Sequence, residues 1–214
     1  MLPATLRLAC CLILFAAVIG CGGPAQRNLE APPALLSASD LSTAIFAAGC
    51  FWCVEEAFDA VAGVVATESG FIGGHMTDPS YRQVVSGGTG HTEAVKVSFD
   101  PGRVDYATLL DVFWRNVDPT DAGGQFCDRG SAYRSGIFFL DAQQEVLARA
   151  SKQALIDDPS APKPIVTEVT AATAFYPAED YHQGYYRRNP LRYSYYKSAC
   201  RRAARLEELW GPPG

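Results

Sequence analysis

Ala48-Gly49-Cys50-Phe51-Trp52-Cys53-Val54-Glu55-Glu56-Ala57-Phe58 is the stretch on which this chain turns. Before it, Thr43-Ala44-Ile45-Phe46-Ala47 is a short apolar run that reads as a buried strand. After it, Phe51, Val54 and Phe58 recur at helical spacing, and Glu55 and Glu56 fall in the first turns, where acids favour a helix start. Cys50 is therefore expected where a strand hands over to a helix. Free backbone N–H groups at a helix N-terminus stabilise a thiolate and make such a cysteine reactive. Phe51 and Trp52 add an aromatic wall beside the sulfur, suited to a substrate with a small apolar group at its reacting end. A buried cysteine is often only a small hydrophobe. Cys53, one helical turn on, completes a C-x-x-C pair, the spacing of redox and metal chemistry.

The rest of the composition bounds the answer. The chain has 214 residues, 48% hydrophobic and 19% charged, which suits one globular domain with a full core. A net charge of −5 argues against a broad nucleic-acid surface. Residues 1–20 stand apart: Arg7 precedes an apolar run, Leu8 to Ile19, of signal-peptide length and too short to span a bilayer. The run ends Val18-Ile19-Gly20-Cys21-Gly22-Gly23, which resembles the bacterial lipobox, in which the cysteine is lipidated and becomes the mature N-terminus. The expected organisation is a lipoprotein signal peptide over 1–20, a flexible tether over 21–42, a catalytic domain over 43–210 and a tail over 211–214. That places the protein in the bacterial cell envelope, extracytoplasmic and anchored to the membrane through lipid on Cys21, on the periplasmic side if the cell is Gram-negative. Cys10 and Cys11 would leave with the signal. Cys50, Cys53, Cys127 and Cys200 remain, and an oxidising compartment also permits a structural disulfide among them.

Downstream, Val61 to Ser69 contains a strand, ended by the glycines around Phe71 and Ile72, and residues 75–91 form a long polar loop that carries Tyr81. In the strand from Glu93 to Phe99, Glu93 shares the parity of Val95, Val97 and Phe99. A carboxylate on a strand's apolar face is desolvated, which raises its pKa and suits it to donate a proton near neutral pH. Asp105 caps a helix with Tyr106, Leu109, Leu110, Phe113 and Val117 on one side. A loop over 118–124 leads to Cys127-Asp128, and Tyr133 to Leu140 reads as a strand. Asp141 caps a helix to about Leu155 with Leu147, Ala150 and Ala154 inward; Pro159, Pro162 and Pro164 end it, and Ile165 to Thr170 is a further strand. The tail is dense in tyrosine and reads as an amphipathic cover, with Cys200 before a short helix that ends at Trp210. No internal repeat or second domain is visible.

Four motifs stand in order: Gly49-Cys50-Phe51-Trp52; Tyr81-Arg82-x-Val84-x-Ser86-Gly87-x-Thr89-Gly90-His91-x-Glu93; Asp128-x-Gly130-x-x-Tyr133-Arg134-Ser135; and Tyr181-His182-Gln183. Together, over about residues 43–210, they resemble the peptide methionine sulfoxide reductases of the A type. The resemblance implies an α+β, ferredoxin-like two-layer sandwich with a mixed sheet. It implies that Cys50 attacks the sulfoxide sulfur, that Glu93 protonates its oxygen, and that Tyr81 and Tyr133 donate hydrogen bonds to that oxygen. Phe51 and Trp52 would hold the substrate methyl group, His182 would lie at the substrate, and Asp128 would orient the site. Methionine leaves, Cys50 becomes a sulfenic acid, a second cysteine condenses with it, and a thioredoxin-like reductant reopens the disulfide. The substrates implied are oxidised proteins or free methionine sulfoxide of the S epimer. No metal, bound cofactor or nucleic acid is implied, and a monomer is expected. The chain departs from the family pattern at Cys53, where the commonest signature has glycine, and at Val85, where many members have cysteine. Cys200 also lacks the glycine-rich surroundings of many distal recycling cysteines.

Cys53 is the expected resolving cysteine, since a C-x-x-C pair at a helix start closes a small ring with little movement. Cys200, which would need a mobile tail, and then Cys127, beside Asp128, remain alternatives. Two other classes compete with the reductase. A thioredoxin-like disulfide oxidoreductase would use the C-x-x-C but has no need of Glu93, Tyr81 or Tyr133. A non-catalytic zinc module would take Cys50, Cys53, Cys127 and Cys200 as ligands.

Overall fold

The computed structural model describes residues 40–212. The expected signal peptide over 1–20, the lipidated Cys21 and nearly all of the tether lie outside the described residues. Strand β1 (Ser42–Ala48) starts one residue before the expected domain boundary and runs straight into Gly49-Cys50 and helix α1 (Phe51–Asp59). Next come β2 (Val64–Ile72), a short α2 (Tyr81–Val85), β3 (Thr92–Phe99) and α3 (Tyr106–Arg115). A small hairpin, β4 (Gly124–Gln125) with β5 (Asp128–Arg129), precedes β6 (Ser135–Phe139), α4 (Ala142–Asp157), β7 (Glu168–Ala171) and β8 (Tyr176–Pro177). The chain closes with α5 (Tyr185–Arg188), α6 (Pro190–Ala199) and α7 (Arg202–Trp210).

The main sheet has the order β7-β6-β1-β3-β2-β8. Within it β6-β1-β3-β2 are antiparallel neighbours, while β6 and β7 run parallel, so the sheet is mixed. With α1 joining β1 to β2 and α3 following β3, this is the ferredoxin-like two-layer arrangement. Alternation along β1 divides its side chains: Ala44, Phe46 and Ala48 enter the main core under the helices, and Ile45 and Ala47 enter a smaller cluster with Ile72, Ala94 and Phe138 on the other face. Phe46 stacks on Phe58 of α1 at 4.8 Å and on Phe113 of α3 at 5.4 Å, which fixes both helices over the strand that leads to Cys50. Among the described residues no helix is long and apolar enough to cross a membrane.

Local signals held where a short hydrogen bond sets them. Asp105 accepts from the Thr108 N–H and Asp141 from the Gln144 N–H, each at 2.8 Å, capping α3 and α4 as their sequences imply. Elsewhere tertiary contacts moved the boundaries. β2 runs through Gly70 to Ile72 rather than ending before it. A Cβ on Gly70 would come within 2.5 Å of the Tyr176 carbonyl oxygen, so this glycine admits β8 alongside instead of turning the chain. The loop over 75–91 contains α2, held by a capping box between Ser80 and Gln83. The strand expected from Tyr133 starts at Ser135, after a 3₁₀ turn over Ser131–Tyr133. In α4, Ala150 and Ala154 are exposed, whereas Gln144 and Ala148 are buried. Polar anchors set that face: Gln144 donates to the Thr43 carbonyl at 2.7 Å, and Ser151 accepts from the Trp114 indole at 3.0 Å.

Candidate active site

Cys50 stands at the sequence-expected junction. Gly49 before it has φ +81°, and a Cβ there would lie 2.5 Å from Gln125 Cβ, so only glycine makes this turn. The Cys50 carbonyl accepts from the Cys53 N–H at 3.1 Å and begins α1. Cys50 and Cys53 are both free thiols, 6% and 5% exposed, and hydrogen-bonded to each other. Their electrostatics differ from the expectation of a low-pKa Cys50. Burial pushes the Cys50 thiol up, and the hydrogen bond with Cys53 and the nearby Glu93 push the same way. Cys53 is lowered to about 6, first by the hydrogen bond from Cys50, then by Arg202, Tyr193 and Lys197, against burial.

The carboxyl of Glu93 lies on the helix-facing side of β3, as its parity implies, and is 1% exposed. Its Oε2 accepts from the Phe51 N–H at 2.9 Å, next to Cys50 in the chain. Burial holds its pKa well above the usual carboxylate range, with Phe51 opposing and Asp128 adding to the rise. The Tyr81 hydroxyl is pushed up to about 12 by burial and by Glu93, and shares a hydrogen bond with Tyr133. Tyr133, raised by burial and by Glu93, also stays a neutral donor. Glu93, Tyr81 and Tyr133 thus face one another across the Cys50 end of α1.

Aromatic rings line the adjoining wall. Phe51 packs against Tyr81 at 6.2 Å and His182 at 5.0 Å, and Trp52 stacks on Tyr185 at 3.8 Å, nearly parallel. The Trp52 indole N–H donates to His182 Nδ1 at 3.1 Å, so the imidazole proton resides on Nε2. His182 is 2% exposed, burial lowers its pKa to about 4, and its Nε2 has no hydrogen-bond partner among the described residues. Asp128 accepts from the Tyr196 hydroxyl, which also hydrogen-bonds to Cys50, and burial raises the Asp128 carboxyl. Every sequence-selected site residue in the described region is thereby gathered around Cys50 except Cys127 and Cys200. Those two are joined to each other by a disulfide, Cα–Cα 4.9 Å, one residue from Asp128 and four from Tyr196. Among the described residues the four cysteines thus fall into two pairs, which removes the zinc site built from all four thiolates.

Other participants were not singled out in the sequence. Tyr193, Tyr196, Lys197 and Arg202 approach the cysteines from the C-terminal helices, and only the density of tyrosine in that tail hinted at them. Glu55 and Glu56 do not serve the start of α1. Both Glu55 oxygens accept from the Gly184 N–H at 3.0 Å, and Glu56 accepts from the Tyr193 hydroxyl at 2.7 Å and from Lys197, so they pin the tail over the site. A groove of about 1120 Å³ lined by Cys53, Lys197, Arg202 and Trp210, among others, lies apart from the acid and tyrosines, since Glu93, Tyr81 and Tyr133 do not line it.

Comparison with known proteins agrees with this geometry. The family model described as peptide methionine sulfoxide reductase matches residues 42–213. Peptide methionine sulfoxide reductase MsrA of Bacillus pumilus (strain SAFR-032) is 47% identical over 167 residues, 78% of this chain and 94% of that protein. Peptide methionine sulfoxide reductase MsrA 2 of Rhizobium meliloti (strain 1021) is 50% identical over 174 residues, 81% of this chain and 86% of that protein. Among solved structures, reduced Mxr1 from Saccharomyces cerevisiae matches with a TM-score of 0.67 and 29% identity, covering 72% of this chain and 88% of that one.

Proposed function

The chain belongs to the peptide methionine sulfoxide reductase family, A type, and we propose that Cys50 is the sulfur that carries its reaction. The enzyme reduces methionine S-sulfoxide to methionine, and its electrons come from thiols, ultimately an external thioredoxin-like reductant. The Cys50 thiolate attacks the sulfoxide sulfur while Glu93 passes its proton to the oxygen. Tyr81 and Tyr133 donate hydrogen bonds to that oxygen as charge develops on it. Phe51 and Trp52 hold the methyl group; the unpartnered His182 Nε2–H and the Asp128 carboxyl serve the remainder of the substrate. Methionine departs, Cys50 is left as a sulfenic acid, and Cys53 condenses with it as water leaves. One observation carries this reading: a buried carboxyl of raised pKa bonded to the N–H of the residue after Cys50. The choice of Cys53 is supported by its free thiol beside Cys50, since Cys127 and Cys200 already bond each other.

The cellular setting belongs to the same proposal. Residues 1–20 act as a lipoprotein signal, and lipidated Cys21 holds the domain on the outer side of a bacterial membrane. The Cys127–Cys200 disulfide supports an oxidising compartment, where such bonds persist. The test of the catalytic assignment is one turnover with methionine sulfoxide followed by mass-resolved disulfide mapping, alongside Cys50→Ser. Methionine release with a Cys50–Cys53 bond in the wild type, and none in the variant, is expected. Substantial reduction by Cys50→Ser would exclude the assignment.

A further inference from the structure

After β8 the chain turns over residues 180–184, and Gln183 clamps that turn against β2. Its Oε1 accepts from the Ser69 N–H at 2.9 Å, and its Nε2 donates to the Ser69 and Ala178 carbonyls, each at 2.9 Å. From this fixed base Glu179 reaches the loop that carries Tyr81, 98 positions away in the chain, and its Oε1 accepts from the Tyr81 N–H at 3.1 Å. The first N–H groups of a helix have no partner inside it. In α2 the capping box occupies the N–H groups of Ser80 and Gln83, and the Tyr81 N–H is the one that Glu179 takes. The Glu179 carbonyl also accepts from the His182 N–H at 2.8 Å, and the Tyr81 and His182 rings meet at 4.2 Å. One residue therefore ties a donor to the sulfoxide oxygen to the imidazole at the substrate. Glu179 Oε2, in contrast, is buried and has no hydrogen-bond partner among the described residues. A buried oxygen without a partner costs stability, so this carboxylate is not kept for stability alone.

We propose that Glu179 is a positioning residue for Tyr81: by holding the Tyr81 N–H it fixes the start of α2, and so the place of the Tyr81 hydroxyl at the sulfoxide oxygen. This rests on the reading above, in which Tyr81 donates to that oxygen. Helix α2 has five residues, little more than one turn, and a helix so short takes its orientation from its anchors. Val84 anchors it in the main core, and Glu179 anchors its first residue. The Tyr81 ring lies against Phe51 at 6.2 Å and His182 at 4.2 Å. Ring packing limits tilt but lets a ring slide, whereas a hydrogen bond to the residue's own N–H fixes where the side chain begins. A donor to a developing oxyanion acts only within about 2.7–3.1 Å of it, so a small backbone shift at Tyr81 is felt at the hydroxyl. Since that bond strengthens as charge develops, its misplacement lowers the rate constant and leaves substrate binding nearly unchanged.

The experiment is a series of quenched single turnovers of the full chain over a range of free methionine sulfoxide concentrations. Glu179→Ala and Glu179→Gln are each made in the wild-type and Tyr81→Phe backgrounds. Tyr81→Phe alone removes the donor and is expected to lower the limiting rate by about 10²-fold. Glu179→Ala displaces the donor, and a fall of about 10-fold is expected with little change in the half-saturating concentration. Glu179→Gln keeps an acceptor for the Tyr81 N–H and is expected to stay close to the wild-type rate. In the Tyr81→Phe background Glu179→Ala should cost nothing further, because a residue that acts through another is not additive with it. Amide hydrogen exchange at Tyr81 should be fast in Glu179→Ala and protected in wild type and Glu179→Gln. Glu179→Met, of similar volume and without the acceptor, takes the place of the alanine variant in every arm if that variant does not fold. An alanine rate equal to wild type overturns the proposal, as does a glutamine variant as slow as alanine. An equal loss in both backgrounds also overturns it and marks packing alone. Tyr81→Phe at the wild-type rate removes the donor role itself, so the proposal and the reading beneath it fail on different variants.

Discussion

Replacing Glu93 by glutamine separates proton donation from everything else this residue does. The amide keeps the volume and leaves an oxygen to accept the Phe51 N–H, now at 2.9 Å, so the start of α1 and the position of Cys50 are preserved. Its N–H₂ can still hydrogen-bond to the sulfoxide oxygen, as Tyr81 and Tyr133 do, but it cannot give that oxygen a proton. General acid catalysis contributes about 10²–10⁴-fold, or about 3–5 kcal/mol of barrier. Because the tyrosine donors remain, the lower half of that range is expected for the first turnover. The pH profile provides a second check. The wild-type rate needs Glu93 protonated, so it falls as pH rises through the raised folded value; the glutamine variant should lack that alkaline limb. The substitution should raise stability where it lowers the rate. Unfolded Glu ionises near pH 4.3, whereas the folded carboxyl resists ionisation, so the unfolded chain binds fewer protons in between. Wild type therefore loses about 1.4 kcal/mol relative to the variant for each pH unit from there up to the folded value. Rapid-quench turnover and denaturant titration across that range measure both effects. A first-turnover rate and alkaline limb unchanged from wild type would refute the assignment of Glu93 as the acid.

Cys127→Ser together with Cys200→Ser should cost about 2–4 kcal/mol in denaturant unfolding, because the bond closes a loop between positions 73 apart. The Cys50–Cys53 bond should still form after a turnover in that double variant, and its failure to form would return a recycling role to the distal pair. Cys21→Ser should release the protein from the membrane fraction of cells. Wild type found entirely in the soluble fraction would end the lipid-anchor reading.

The sequence alone determined those features that depend on neighbours a few residues apart. The apolar run before Gly49 and the helical spacing after it placed Cys50 at the end of β1, and strand parity put Glu93 on the buried face. Asp105 and Asp141 declared the caps of α3 and α4 because each bonds an N–H three residues on. Motif order brought in Tyr81, Tyr133, Asp128 and His182, whose roles no local periodicity reveals. Tertiary structure alone decided what covers the site. Which cysteines pair is a matter of through-space distance, and it joined Cys127 to Cys200 while leaving Cys50 and Cys53 free. Glu55 and Glu56 looked like helix-start acids, yet they bind Gly184, Tyr193 and Lys197 from a distant part of the chain. Ala150 and Ala154 had the right hydrophobicity for the core but lie on the outer face, because hydrogen bonds of Gln144 and Ser151 set the rotation of α4. The unlike surroundings of the two thiols could not be read from the C-x-x-C spacing either. Burial around Cys50, and the cations that Arg202 and Lys197 bring to Cys53, arise only when the C-terminal helices fold back over α1, since desolvation and Coulomb energy depend on separation in space and not along the chain.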